Sequence, residues 1–253
     1  MKTNKILFLA WVDPNSHSWF PIGRLTFDGD SYKFVYTQGA YLAQQQCGFE
    51  PLLSFPQFEK VYISTQLFPV FSNRSMPRSR PDYSSFIQWL NIAEHEYDPI
   101  AILARSGGER ETDTLTVFPR PEPDNQGRYH FHFFALGLRH LPQFAIERIN
   151  YLSQGEKLWL QSEFKNPHEL ALTLNTEDQY AVGYCPRYLY LEVFDILRRE
   201  PSLVDLRVER VNLPPIPLQF RLLCHITVRH QDDLHPFSNQ IYQPLIELDV
   251  VIS

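Results

Sequence analysis

Tyr180-Ala181-Val182-Gly183-Tyr184-Cys185-Pro186-Arg187-Tyr188-Leu189 passes from strand to helix over a short turn. Tyr180 to Tyr184 is aromatic and aliphatic and reads as a strand. From Tyr188 to Arg199 the spacing changes, and Leu189, Val193, Ile196 and Leu197 fall on one helical face. The flanking segments extend the pattern. Tyr129 to Leu136 is a strongly aromatic strand, and Pro142 opens a short helix carrying Phe144, Ile146 and Ile149. Lys157 to Gln161, Leu170 to Leu174, Leu203 to Asn212 and Gln219 to His230 read as further strands. Several short strands with one or two helices predict a small β-barrel of the OB or SH3 kind.

Upstream, Pro119-Arg120-Pro121-Glu122-Pro123-Asp124-Asn125-Gln126-Gly127-Arg128 reads as an extended, solvated linker. The expected organisation is therefore an N-terminal domain over 1–118, a linker over 119–128 and a second domain over 129–253 with a C-terminal extension. In the first half, Gly23 to Tyr36 alternates apolar and polar residues on both sides of Asp28-Gly29, which predicts a β-hairpin. The prolines at 51, 56 and 69 forbid a continuous helix between Phe49 and Phe71. Tyr83, Phe86, Ile87 and Leu90 predict an amphipathic helix after Pro81-Asp82. A second short helix runs from Ile100 to Arg105, after Asp98-Pro99, and stops at Gly107-Gly108. Leu115 to Phe118 is a strand. The fold class is α+β, with a small N-terminal sheet and helices followed by the barrel.

The 253 residues are 43% hydrophobic and 21% charged, which is the globular range. No apolar run is long enough to span a bilayer. Ile6 to Trp11 faintly imitates a signal peptide, but Val12-Asp13-Pro14 follows, and it reads as a first strand. Cys47, Cys185 and Cys224 are odd in number and widely spaced, as in a reducing compartment, and the expected location is cytoplasmic. The net charge of −6 divides into −2 over 1–128 and −4 over 129–253. A protein that coats nucleic acid by charge alone is basic. Any nucleic-acid contact must therefore be a local pocket.

No P-loop, kinase catalytic loop, Gly-x-Ser-x-Gly elbow or His-Glu-x-x-His helix is present. The chain is expected not to be an enzyme, and no cofactor is expected. His130 and His132 share a strand face and could begin a metal site. No Cys or acidic residue stands beside them at ligand spacing, so the expectation is a polar outer face without metal. Arg74, Arg78 and Arg80 cluster in one loop, either as a solvated surface or as a small phosphate- or partner-binding patch.

Gly155-Glu156-Lys157-Leu158-Trp159-Leu160, then Asn166-Pro167-His168-Glu169-Leu170-Ala171-Leu172, then Ala181-Val182-Gly183-Tyr184-Cys185-Pro186-Arg187 together resemble a HIRAN domain, over roughly residues 129–232. That resemblance implies an OB-like barrel that captures the 3′ end of single-stranded DNA. In this family aromatic rings stack on the terminal bases and an acidic residue near the turn engages the terminal hydroxyl. By motif, His168 and Glu169 stand where the family has Tyr and Asp. Arg139 and His140 stand at an Arg-aromatic pair, and Phe220 lies near a late-strand aromatic. Tyr184 and Arg187 belong to the Val-Gly-Tyr-x-Pro-Arg turn, which either contacts DNA or aims the helix across the barrel. Stacking contributes about 1–3 kcal/mol per base, and a carboxylate accepts from a free hydroxyl. The resemblance implies DNA ends or single-stranded DNA as partner.

Pro21 to Leu25, Tyr32 to Tyr36, Leu52 to Phe55, Leu67 to Arg74 and Asp98 to Gly108 look, as an ordered set, like the N-terminal subdomain of HipA-type toxin kinases. That family's catalytic machinery lies in later subdomains that have no counterpart here. The likeness implies a scaffold or protein-docking unit in residues 1–118. The alternative to a DNA-end module is thus a regulatory adaptor that docks a toxin–antitoxin or DNA-repair partner.

Overall fold

The structure is a computed structural model that describes residues 5–93, 97–110, 112–166, 169–229 and 235–246. In chain order its elements are β1 (Lys5–Val12), β2 (Trp19–Phe27), β3 (Tyr32–Tyr36), α1 (Gln38–Cys47), β4 (Tyr62–Ser64), α2 (Pro69–Ser72), α3 (Tyr83–Leu90), α4 (Pro99–Ser106) and β5 (Leu115–Pro119). These are followed by β6 (Tyr129–Phe134), α5 (Gln143–Asn150), β7 (Lys157–Asn166), β8 (Glu169–Asn175), β9 (Ala181–Tyr184), α6 (Arg187–Arg199), β10 (Val204–Val211) and β11 (Leu222–Val228), with short 3-10 turns at Leu138–His140 and Leu218–Phe220. No helix among the described residues is long and apolar enough to cross a membrane.

The chain forms two compact units that interleave along the sequence. Residues 1–83, 92–120 and 235–253 make the first, and residues 84–91 and 121–234 the second. The first unit is built on an antiparallel sheet in the order β4-β3-β2-β1-β5. Its central hairpin pairs Phe27 with Tyr32 and Gly23 with Tyr36. Asp28 closes the turn by accepting from the backbone N–H of Asp30 and Ser31 at 3.0 and 2.8 Å. Stacked Phe34 and Phe55 rings, 3.8 Å apart, lie in the core beneath it. Asp98 caps α4 by accepting from Ile100 and Ala101 N–H, and Gly107 ends it in the left-handed conformation. The distant segment 235–246 joins this unit through rings, with Phe237 and Tyr242 packing on Phe8 at 5.8 and 5.1 Å.

Two of the three clustered arginines of the first unit are engaged by carboxylates, while Arg78 is exposed. Arg74 is buried, ion-paired to Asp113 at 2.6 Å, and donates to the Gly108 carbonyl at 3.0 Å. Arg80 is neutralised by Asp82 at 2.8 Å. The acidic partner of Arg74 lies well downstream of the loop, at Asp113.

The second unit carries an antiparallel sheet in the order β6-β11-β10-β7-β8-β9. β7 links its two parts. Lys157 and Leu158 pair with β10, whereas Trp159 onward pairs with β8. The sheet of the expected β-barrel is not closed by its ladders. β6 and β9 are edge strands, and the chain just after β6 meets β9 through a single bridge, Leu136 to Tyr184. Strand β6 stops pairing there because Gly137 turns the backbone at φ 74° into the short 3-10 turn. Along β6, Tyr129, Phe131 and Phe133 are buried while His130 and His132 are half-buried on the other face. Helix α3 lays Phe86, Ile87 and Leu90 into this unit's core. Each such burial is worth about 1.5–3 kcal/mol.

Candidate functional site

The bridge that joins the two sheet edges also builds a surface. Leu136 N–H donates to the Tyr184 carbonyl at 2.9 Å, and Tyr184 N–H returns the bond at 3.0 Å. The next residues turn tightly, leaving Leu138 buried and Arg139 and His140 exposed. Arg139 Nε donates to His140 Nε2 at 3.0 Å, which fixes the two side chains as a pair. The guanidinium keeps further donors to offer a phosphate. The half-buried Tyr184 ring lies against Gly137, where a Cβ would stand 2.7 Å from Tyr184 Cδ2. Burial, with the Glu163 charge second, pushes the Tyr184 hydroxyl above its ordinary pKa.

The other sequence-derived site residues are spread further. Arg187 is the exposed first residue of α6. Glu169 opens β8 opposite Asn166, while Thr173 of the same strand pairs with Tyr184. The backbone of Glu169 is thus about 13 Å along the strand from the Tyr184 level, at about 3.3 Å per residue. His168 lies outside the described residues. Phe220 packs its ring on Phe86, Trp89 and Phe134, with centroids 5.5, 6.1 and 5.3 Å away. The structure therefore places Tyr184 close to the turn that carries Arg139 and His140, and Phe220 on a second turn near it.

Several exposed aromatics of this unit were not singled out in the sequence. Phe144 is 60% and Tyr151 80% exposed, and Trp159 and Tyr180 are also exposed. Phe144 and Tyr180 form an edge-on pair at 5.8 Å. Of the apolar residues that α5 carries, Ala145 and Ile149 are buried and Phe144 is not. Trp159 lines an open depression with Arg148, Glu156, Lys157, Glu177 and Asp178. Arg148 is engaged there by Glu156 at 2.9 Å and Asp178 at 3.0 Å, so its charge is already balanced. Those contacts hold Asp178 down to about 2, with the Arg148 hydrogen bond as the main cause.

On the outer sheet face, the histidines of β6 find partners that are remote in sequence. His132 and His225 are directly paired across β6 and β11, with rings stacked at 4.3 Å and 5°. His132 Nδ1 bonds Glu209 Oε2 of β10. His130 Nδ1 meets His225 Nε2 at 3.0 Å, and His130 Nε2 meets Asp124 Oδ2 at 3.0 Å. The His130 bond, then Arg128, holds the Asp124 carboxyl well below the usual carboxylate range. The expectation that this face has no metal-ligand set misses His225 and Glu209, because both lie on strands formed much later in the chain. The stretch around Asp124, expected as an extended linker, is instead a compact turn. Asp124 Oδ1 accepts from Gln126 and Arg128 N–H, both at 2.8 Å.

No family model matches the chain, and no curated protein matches it. Among solved structures it is similar to the crystal structure of the HIRAN domain of human HLTF. The match has 18% sequence identity and a TM-score of 0.29, and covers 40% of this chain and 74% of that one. At that score the overlay does not establish a shared fold. The HIRAN resemblance of residues 129–232 rests on the quoted motifs, as does the HipA resemblance of the first half.

Proposed function

We propose that the second unit is a nucleic-acid-binding module that takes the 3′ end of single-stranded DNA at the turn 137–140, without a catalytic engine of its own. The observation that supports this reading is the Leu136–Tyr184 bridge, which sets Tyr184 against Gly137, at the start of the turn that presents the exposed Arg139–His140 pair. Arg139 offers donors to a phosphate, and His140 offers a ring to a base. The exposed rings of Phe144, Tyr151 and Tyr180 give further bases sequence-tolerant faces to stack on. The DNA strand runs from the turn toward Glu169, about 13 Å along β8, which discriminates the terminal hydroxyl as its place in the motif implies, and Arg187 adds a cation at the start of α6. Phe220 acts by holding the neighbouring turn in place.

The test is fluorescence anisotropy with single-stranded DNA bearing a free 3′-hydroxyl, against the same strand with a 3′-phosphate and a blunt duplex. Binding to the free end is expected, with a loss of about tenfold or more in Arg139→Ala, in line with about 1.5–3 kcal/mol for a charged hydrogen bond. Glu169→Gln is expected to erase the preference over the 3′-phosphate. Absence of binding at low salt, where phosphate contacts are strongest, would sink the proposal.

A further inference from the structure

Three strands distant in sequence bring two imidazoles and one carboxylate to a single spot on the outer sheet face. His132 on β6 and His225 on β11 are cross-strand partners. Glu209 comes from β10, where the pairing with β11 slips between Val208 and Arg210. Such a bulge re-aims a side chain, and bulges are common beside functional sites. One ligand atom from each of the three lies within 4.8 Å of the other two. Two donors on a tetrahedral zinc, each at about 2.0–2.2 Å from the ion, stand about 3.4 Å apart. The three side chains are therefore close enough to share an ion once the stacked His132 and His225 rings turn so that their in-plane lone pairs converge.

We propose that His132, Glu209 and His225 form a binding site for a divalent transition-metal ion of the zinc class. Two neutral imidazoles and a carboxylate suit zinc and its neighbours, whereas calcium and magnesium take oxygen ligands. Three protein ligands leave a further position for water or a partner's donor. A second layer of groups is in place as well. Asp124 can only accept, so with both rings neutral His130 donates to it from Nε2 and accepts at Nδ1 from His225 Nε2–H. The lone pair of the His225 ring then resides on Nδ1. An Asp–His chain of this kind fixes the tautomer and orientation of a metal-bound imidazole. Glu209 is held in turn by Asn91 Nδ2, which donates to its Oε1 at 2.8 Å. Metal-free, the His132–Glu209 hydrogen bond occupies the same groups; on binding, the ion takes the place of the proton at Nδ1 and the neutral ring carries its N–H at Nε2 instead. An ion here would tie β6, β11 and β10 together and fix the bulge.

The tag-free full chain, stripped with a chelator, is titrated with Zn2+ by calorimetry and with Co2+ by visible absorption. One equivalent is expected to bind, with ligand-field bands of a low-coordinate nitrogen and oxygen site and a thermal midpoint that rises with Zn2+. His132→Gln and Glu209→Gln are expected to weaken binding more than tenfold, and Asp124→Asn, one hydrogen bond beyond the partner of His225, by about tenfold or less, below the range for a direct outer-shell partner. His17→Gln, an exposed histidine of the first unit, should leave it unchanged. Should a variant fail to fold, imidazole proton–nitrogen spectra of the native chain decide: Zn2+ must shift the His132 and His225 rings. The proposal is overturned by absence of saturable binding, by affinities equal to the native chain's in folded His132→Gln and Glu209→Gln, or by shifts confined to other histidines.

Discussion

Phe220 shows how one residue can be legible in kind and illegible in role. An aromatic near a late strand of the second half stands out in the sequence, and stacking on a base is one use for it. Its ring instead meets Phe86 and Trp89 of α3 and Phe134 of β6. Nothing local to residue 220 signals a helix that precedes it by more than a hundred positions. The same holds for His225 and Glu209, whose relation to His132 exists only once the strands pair. Arg139 and His140 were named from the Arg-aromatic pair of the motif, and both are exposed after the Gly137 turn. Phe220→Ala is expected to cost about 2–4 kcal/mol in urea unfolding, the range for truncating a large ring that is packed but not fully enclosed. Phe220→Leu should recover most of that stability and keep single-stranded DNA binding. Native stability in Phe220→Leu together with lost binding would instead put the ring on the DNA.

Among the elements, those with a strong period were readable. The β2–β3 hairpin, α3, α4 and α6 follow their apolar spacing, and Asp98 and Gly107 mark the ends of α4 as capping chemistry requires. Helix α1 escapes because its buried face is only Gly39, Ala40 and Ala43 amid glutamines, too small for a visible stripe. The edge-joining bridge escapes too, since a pair of backbone hydrogen bonds leaves no side-chain pattern. That bridge is open to test through Gly137, which combines φ 74° with a ring where a Cβ would go. Gly155 is the natural control: its φ is 81°, but nothing lies within 4 Å of its would-be Cβ. Gly155→Ala should cost about 1–2 kcal/mol, the strain of a left-handed alanine alone. Gly137→Ala should cost more, because Tyr184 must also move, and should weaken 3′-end binding along with stability. Equal losses of stability in the two variants, with binding intact in both, would show that the turn and Tyr184 need not be held together.

At the scale of the whole molecule, the proline-rich stretch at 119–128 invites a cut into two consecutive halves, and the packing is not consecutive. Ser84–Asn91 belongs with the second unit. Asn212 Nδ2 donates to the Trp89 carbonyl at 3.0 Å, Asn91 bonds Glu209, and Phe86, Ile87 and Leu90 are buried. Composition cannot reveal this, because a short amphipathic helix reads the same whichever core receives it. A fragment spanning 121–234 therefore lacks part of its own core. It also loses the Asn91 bond that steadies Glu209 on the metal-capable face. Such a fragment is expected to melt well below the full chain or to give poorly dispersed amide spectra. A synthetic peptide of residues 80–93 supplied in trans should raise its melting temperature in a concentration-dependent way, as anything that binds only the folded state must. The same peptide carrying Phe86→Ala should do so weakly, since the ring that meets Phe220 is gone. A fragment that melts like the full chain and ignores the peptide would mean that 121–234 is complete by itself, and that α3 adds contacts without being needed for the core.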